Sequence, residues 1–372
     1  MLRDLGEDMV SLGTWMYPQT TSTARSSPSP EMCSSVGARL GGFLASLHCD
    51  PTLLSKSQLL TDNGRRWFEN PETKDFVRDE VVGKVLPIIR LYLGPPAEKI
   101  ANTISQDFQR NFLDFCHPPL SSSPSSQVTQ SMFSVGDLWT ESFLIVTPFL
   151  DPNYLDEKTE PGIGFIDWEF AGPARIGQDM TQLCAWIYLF STSSAWSLTR
   201  SHSSRTSVGV TALSSTSAPG PRNSAAVVYL SEDRTNLGSG EMLGSAGRNL
   251  LDAMLKAYAT KVSDYPDYAW FVGEERDQRR FKKERLAVIR SVWISFGREI
   301  IYVGVEAKRI FARFFSADAT GGEDEVKMWQ REVIAVGCWY ISMAGQKEDE
   351  EFGGVVREER LLKKMYTISA SL

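Results

Sequence analysis

Apolar residues recur at helical spacing along most of the chain. In "GARLGGFLASLH" (37–48), Leu40, Phe43, Leu44 and Leu47 fall at i, i+3, i+4 and i+7, one face of a helix. Over 72–93, Val77, Val81, Val85, Ile88, Ile89 and Tyr92 form one stripe, and Pro87 within it predicts a kink or a split. Residues 246–262 predict an amphipathic helix. Residues 275–315 predict one or two long helices interrupted at Gly297 and Gly304, and 325–345 a further buried helix.

Strand patterns are few and cluster in the middle. "SFLIV" (142–146) and "GIGFIDWEF" (162–170) are short and rich in β-branched and aromatic residues. In the second, alternation puts Ile163, Phe165 and Asp167 on one face and Ile166 and Trp168 on the other. An antiparallel pairing of the two runs sets Asp137 just before the first strand and Asp167 near the end of the second, with both acids toward one cleft. The pattern as a whole predicts an α+β fold, mostly helical with a small β hairpin.

Three tracts carry no such pattern. Residues 18–35, 118–131 and 191–225 are rich in Ser, Thr and Pro, and their composition predicts disorder, because they bury too little apolar surface to offset the entropy of ordering. The last two read as inserts within a larger unit.

The chain has 372 residues, 42% of them hydrophobic, with ten Trp and nineteen Phe, enough for a sizeable core. Its 46 acidic and 39 basic residues give a net charge of −7, which argues against a nucleic-acid surface and a polybasic membrane patch. A small anionic ligand would need a metal or a local Arg/Lys cluster. The five cysteines are widely spaced without a CxxC, and His48, His117 and His202 complete no zinc pattern, so reduced thiols in a cytoplasmic protein are the simplest reading. "MLRDLGEDMV" has no signal-peptide core, and the longest uncharged run, 180–199, turns to Ser and Thr in its second half, a poor membrane span.

One carboxylate on a loop before a strand and another at the end of its partner suit phosphoryl transfer. One acid orients or deprotonates an attacking hydroxyl, and the other holds Mg²⁺ on nucleotide phosphates. The bland alternative for Asp137 is a turn residue beside Gly136. For Asp167 it is a strand-end cap, although an acid inside an apolar run needs a partner or a metal. Trp139 and Trp168 read as core aromatics. Glu169 reads as the partner of a nearby basic side chain, and "RDQRRFKKER" (276–285) as a solvated helix start.

"SVGDLWTESFLIV" (134–146) resembles the catalytic loop of aminoglycoside phosphotransferase-like kinases, H-G-D-x-x-x-x-N followed by an apolar strand. "GFIDWEFAGPARIGQDMTQL" (164–183) resembles that family's second signature, and the wording of the two is close to its fungal branch. "ARLGGFLASLH" resembles its helix ending in Leu-His, so the likeness covers scattered blocks from about 37 to 190. The resemblance implies a protein kinase-like fold in which residues 37–372 form the mostly helical C-terminal lobe. It implies Asp137 as the catalytic acid, Asp167 as a metal-binding acid and Asp179 as a structural acid bracing the loop backbone. ATP and Mg²⁺ would be the cofactors and a small-molecule hydroxyl the acceptor, with neither nucleic acid nor membrane as partner.

Three departures qualify the resemblance. Val135 stands where the motif has His, which weakens the loop's support more than its chemistry. Ser142 stands where it has the metal-binding Asn; it is either a poorer metal donor or a plain strand-start hydroxyl. "MLRDLGED" at the start resembles the family's interlobe hinge, so residues 1–36 read as a hinge-like start and flexible linker, with no glycine-rich loop or phosphate-pairing Lys in the chain. The expectation is a phosphotransferase relative whose activity is weak or lost. Two rivals stand beside it: a non-catalytic, pseudokinase-type binding or scaffold protein, and a gene product truncated in front and carrying unspliced inserts.

Overall fold

The computed structural model describes residues 9–17, 28–58, 75–110, 131–146, 163–167, 170–206, 244–272, 281–312, 315 and 322–366. They form a mostly helical α+β structure with two small antiparallel sheets. Strand β1 (Met9–Ser11) leads into α1 (Leu12–Met16), with the Ser11 hydroxyl capping the Thr14 N–H. Helices α2 (Pro30–His48) and α3 (Pro51–Gln58) follow. A π-helical turn (Val77–Val82) opens α4 (Gly83–Leu93), and α5 (Ala97–Phe108) comes next. The middle of the chain carries β2 (Ser131–Ser134), a 3-10 turn (Thr140–Ser142), β3 (Phe143–Val146), β4 (Ile163–Phe165) and β5 (Gly172–Arg175). The remainder is helical: α6 (Gln178–Thr206), α7 (Ser245–Ser263), α8 (Ala269–Val272), α9 (Lys282–Glu306), α10 (Lys308–Ala312), α11 (Gly322–Gln346) and α12 (Asp349–Glu358).

Strand β3 is central in the first sheet, between β1 and β4, and pairs Phe143 with Phe165. The two apolar runs therefore pair antiparallel. The second sheet joins β2 to β5, with Ser134 opposite Gly172 and Ser131 opposite Arg175. One hydrophobic core runs from α2 and α7 through α6 to α9 and α11. Its densest part is aromatic: Trp293 meets Tyr340 and Phe352 at ring-centroid distances of 5.1 Å, and its indole N–H donates to the Tyr366 hydroxyl at 3.0 Å. Edge-to-face pairs of this kind add to the area they bury.

Several expectations need correction. Residues 28–35, inside a tract whose composition predicts disorder, start a helix: the Ser29 hydroxyl accepts from the Met32 N–H and Pro30 occupies the first turn, where its missing N–H costs nothing. Residues 9–16 form β1 and α1, so the flexible linker expected within 1–36 does not include them. Residues 191–206, expected as part of a disordered insert, continue α6. There the buried Ser191, Thr192 and Ser193 hydroxyls donate to the carbonyls of Ile187, Leu189 and Phe190, which makes them tolerable in a packed helix. Pro87 does not split its helix, and the wide π turn lies immediately before α4. Gly297 and Gly304 interrupt nothing. Gly297 faces Gly337 where α9 crosses α11, and a Cβ on it would come within 2.5 Å of the Gly337 carbonyl oxygen. Most of 118–131, all of 207–225, and Trp168 and Glu169 lie outside the described residues.

Candidate functional site

The turn bearing Asp137 is built on the first turn of α6. Asp179 there is buried, and its carboxylate receives four hydrogen bonds. Oδ1 accepts from the Ser134 hydroxyl (2.5 Å) and the Gly136 N–H (3.0 Å). Oδ2 accepts from the Val135 N–H (2.7 Å) and His48 Nε2 (3.0 Å). A carboxylate offers about four lone-pair sites, so Asp179 has none left for a metal or substrate. Burial works to raise its carboxyl, but the His48 hydrogen bond and charge, the Ser134 hydroxyl and the Val135 N–H outweigh that and hold it below its ordinary value. One turn on, the Gln182 side-chain oxygen accepts from the Leu138 N–H at 3.3 Å. Residues 179 and 182 share a helix face, so α6 holds N–H groups on both sides of Asp137.

The backbone reverses at Gly136, where φ is +95° and a Cβ would overlap the Phe170 carbonyl oxygen. Only glycine meets both conditions without strain. Asp137 itself is exposed, while Leu138 beside it is fully buried and anchors the turn. Val135 is buried in the core, and its N–H donates to Asp179.

Asp167 comes in from the first sheet. The Ile166 N–H donates to the Ser142 carbonyl at 3.0 Å, extending the β3–β4 ladder by one bond. Asp167 then turns into the left-handed region with φ +69°, the sole non-glycine among the described residues to do so. This breaks the strand alternation that was expected to carry it with Ile163 and Phe165. Such a conformation costs on the order of 1–3 kcal/mol outside glycine and clusters at functional sites. The Ser142 hydroxyl, fully buried, lies 3.4 Å from both the Asp137 carbonyl oxygen and an Asp167 carboxylate oxygen. Both distances are long for a hydroxyl donor. The structure thus brings Ser142, Asp167 and the backbone of Asp137 together, and puts Asp179 beneath them as a clamp.

His48 and Tyr258 were not singled out from the sequence as site residues. His48 ends α2 fully buried, sharing a 3.0 Å hydrogen bond with the Tyr258 hydroxyl through Nδ1 and another with Asp179 through Nε2. Its place at the end of an amphipathic helix was the available signal. Trp139 packs on Trp186 with ring centroids 5.2 Å apart. Cys33, Cys49, Cys184 and Cys338 are buried free thiols, and burial pushes Cys33, Cys49 and Cys338 up to about 12, where they are inert. Among the described residues no three His, Cys, Asp or Glu side chains form a metal cluster, and no helix is long and apolar enough to cross a membrane. No protein-family model matches this chain, and no curated protein matches it significantly.

Proposed function

We propose that this chain is an aminoglycoside phosphotransferase-like protein on a protein kinase-like fold, descended from enzymes that phosphorylate a small-molecule hydroxyl with ATP, and that its own activity is weak or lost. The observation that carries the reading is the meeting at Ser142: the clamped turn of Asp137 and the left-handed Asp167 converge on one buried hydroxyl. In this reading Asp137, exposed at the tip of a turn whose N–H groups are pinned, orients the acceptor hydroxyl and takes its proton. Asp167 and Ser142 would hold Mg²⁺. Both offer hard oxygen atoms, and Mg²⁺ needs only one or two protein groups beside phosphate and water. When bound, the ion supplies charge neutralisation on the β- and γ-phosphates. Asp179 positions the turn and takes no part in the chemistry. The protein would work in the cytoplasm, without nucleic-acid or membrane partners.

The second reading is a pseudokinase-type binding or scaffold protein. It is favoured by Val135, an apolar side chain sealed in the core where a motif His would stand, and by the shortness of Ser142 as a metal donor. Calorimetric titration of Mg-ATP separates the two. Saturable binding that Asp167→Ala abolishes supports the phosphotransferase reading. Absence of binding in the wild-type chain leaves the scaffold.

A further inference from the structure

At the far end of β5 from the Asp137 turn, a second polar pocket opens between the end of α5, the start of α6 and the middle of α9. Its cavity volume is about 30 Å³, room for a water or two or one small ion and far too little for a drug-sized molecule. Arg175 and Arg298 both line it, and each is only 8% exposed. The Nε–H of each guanidinium is sealed from solvent and has no acceptor. A charged donor buried without an acceptor costs its desolvation, so the two guanidiniums are stabilised by an acceptor that reaches them from this cavity.

The remaining polar groups are arranged around these donors. Thr181 donates to the Gln178 carbonyl at 2.6 Å and shares a 3.1 Å hydrogen bond with Ser295. Ser295 in turn accepts from Arg298 Nη2 at 3.5 Å, and Ser291 lines the same wall. Two carboxylates oppose an incoming anion. Glu299 holds Arg298 Nη2 at 2.6 Å, and Asp107 also lines the pocket. Burial lowers the Arg175 guanidinium from its ordinary value, and the Asp107 charge offsets part of that. Neither carboxylate satisfies the two Nε–H groups, and the planar fork of N–H donors on each guanidinium suits an oxygen anion.

We propose that this pocket binds a small oxyanion, either a phosphate group or a carboxylate, held by Arg175 and Arg298 with the hydroxyls of α6 and α9 beside them. The site is separate from the Ser142 meeting point and does not rest on the phosphotransferase reading. With Asp107 and Glu299 already balancing the two cations, binding is weak and decided by the donors rather than by net charge.

The test is thermal unfolding of the full chain during titration with inorganic phosphate and, separately, acetate, with ionic strength held constant by sodium chloride. A saturable rise in melting temperature is expected with at least one of them. A rise with phosphate alone assigns a phosphate group, and one with acetate alone a carboxylate. Arg298→Lys keeps the charge but removes the Nε donor and should abolish the response. Ser291→Asp places a carboxylate on the pocket wall; it should hold or raise the melting temperature and also abolish the response. Asp167→Ala should leave the response intact. The proposal is overturned by no saturable response to either anion, by an equal response to chloride, by a response lost in Asp167→Ala, or by a Ser291→Asp chain that melts lower yet still responds.

Discussion

His48 Nε2 and Asp179 Oδ2 lie 3.0 Å apart with both side chains fully buried. The pair ties the end of α2 to the start of α6, and through Asp179 to Ser134, Val135 and Gly136. Asp179→Asn replaces one acceptor oxygen by an NH₂ donor and leaves about two of the four buried donors unpaired, so it is expected to cost about 2–6 kcal/mol. Ser134→Ala removes one of the four donors and should cost about 1–3 kcal/mol. Chemical denaturation of both variants checks the ordering. Equal losses would show that the carboxylate is not the hub of the turn.

Two buried carboxyls pull the pH dependence in opposite directions. Asp179 is held below its ordinary value, so its contribution to stability is present above about pH 4, where an unfolded aspartate ionises, and is lost as pH falls through the lower folded value. Glu359 accepts from the Tyr340 hydroxyl at 2.7 Å and from the N–H groups of Leu361, Leu362 and Lys363, yet burial outweighs these and raises its carboxyl. Its contribution is fully present below about pH 4.3 and is lost as pH rises through the higher folded value. Melting curves against pH should therefore show Asp179→Asn closing on the wild type in acid. Glu359→Gln should gain on the wild type as pH rises from 4 to 7. A constant offset between wild type and either variant would contradict the assignment for that residue.

Asp167 holds a backbone conformation that an aspartate adopts only at a cost. Asp167→Gly removes the strain, so the chain is expected to melt higher, by the equivalent of about 1 kcal/mol. The same change deletes the carboxylate beside Ser142. A variant that gains stability and loses Mg-ATP binding would mark Asp167 as a residue kept for ligand rather than for fold. A loss of stability would show that its carboxylate supports the β3–β4 junction instead.

How much of this was legible in the chain depends on the range over which each feature is decided. The helices α7 and α11 follow from apolar spacing because their buried faces are continuous. The β3–β4 pairing follows from two short β-rich runs with an acid beyond the second. Composition weighs hydroxyls as polar, whereas Ser191, Thr192 and Ser193 spend theirs on carbonyls of their own helix, so α6 continues where composition predicts disorder. The start of α2 carries local helix signals in Ser29 and Pro30, but the serines and prolines around them give the tract the composition of a disordered segment. At the site, Asp137 and Asp167 stand out as acids among apolar residues. The left-handed turn of Asp167 and the pairing of Arg175 with Arg298 in one cavity are set by packing between distant segments, and nothing local announces them.

The crossing of α9 and α11 offers a sharper case of packing overruling local preference. Each helix has a glycine at the contact. A Cβ on Gly297 would lie 2.5 Å from the Gly337 carbonyl oxygen, and one on Gly337 would lie 2.6 Å from that of Gly297. In an exposed helix, Gly→Ala stabilises by up to about 1 kcal/mol. Here the added methyl must push two backbones apart within a core that includes Ile301 and Ile341, an overpacking cost of about 1–3 kcal/mol. Gly297→Ala and Gly337→Ala are each expected to lower stability despite the gain in helix propensity. Because separating the helices once relieves both clashes, the double variant should lose less than the sum of the two single losses. Denaturant titration of the three variants measures this. A rise in stability for either single variant would mean that the helices stand further apart than this crossing requires.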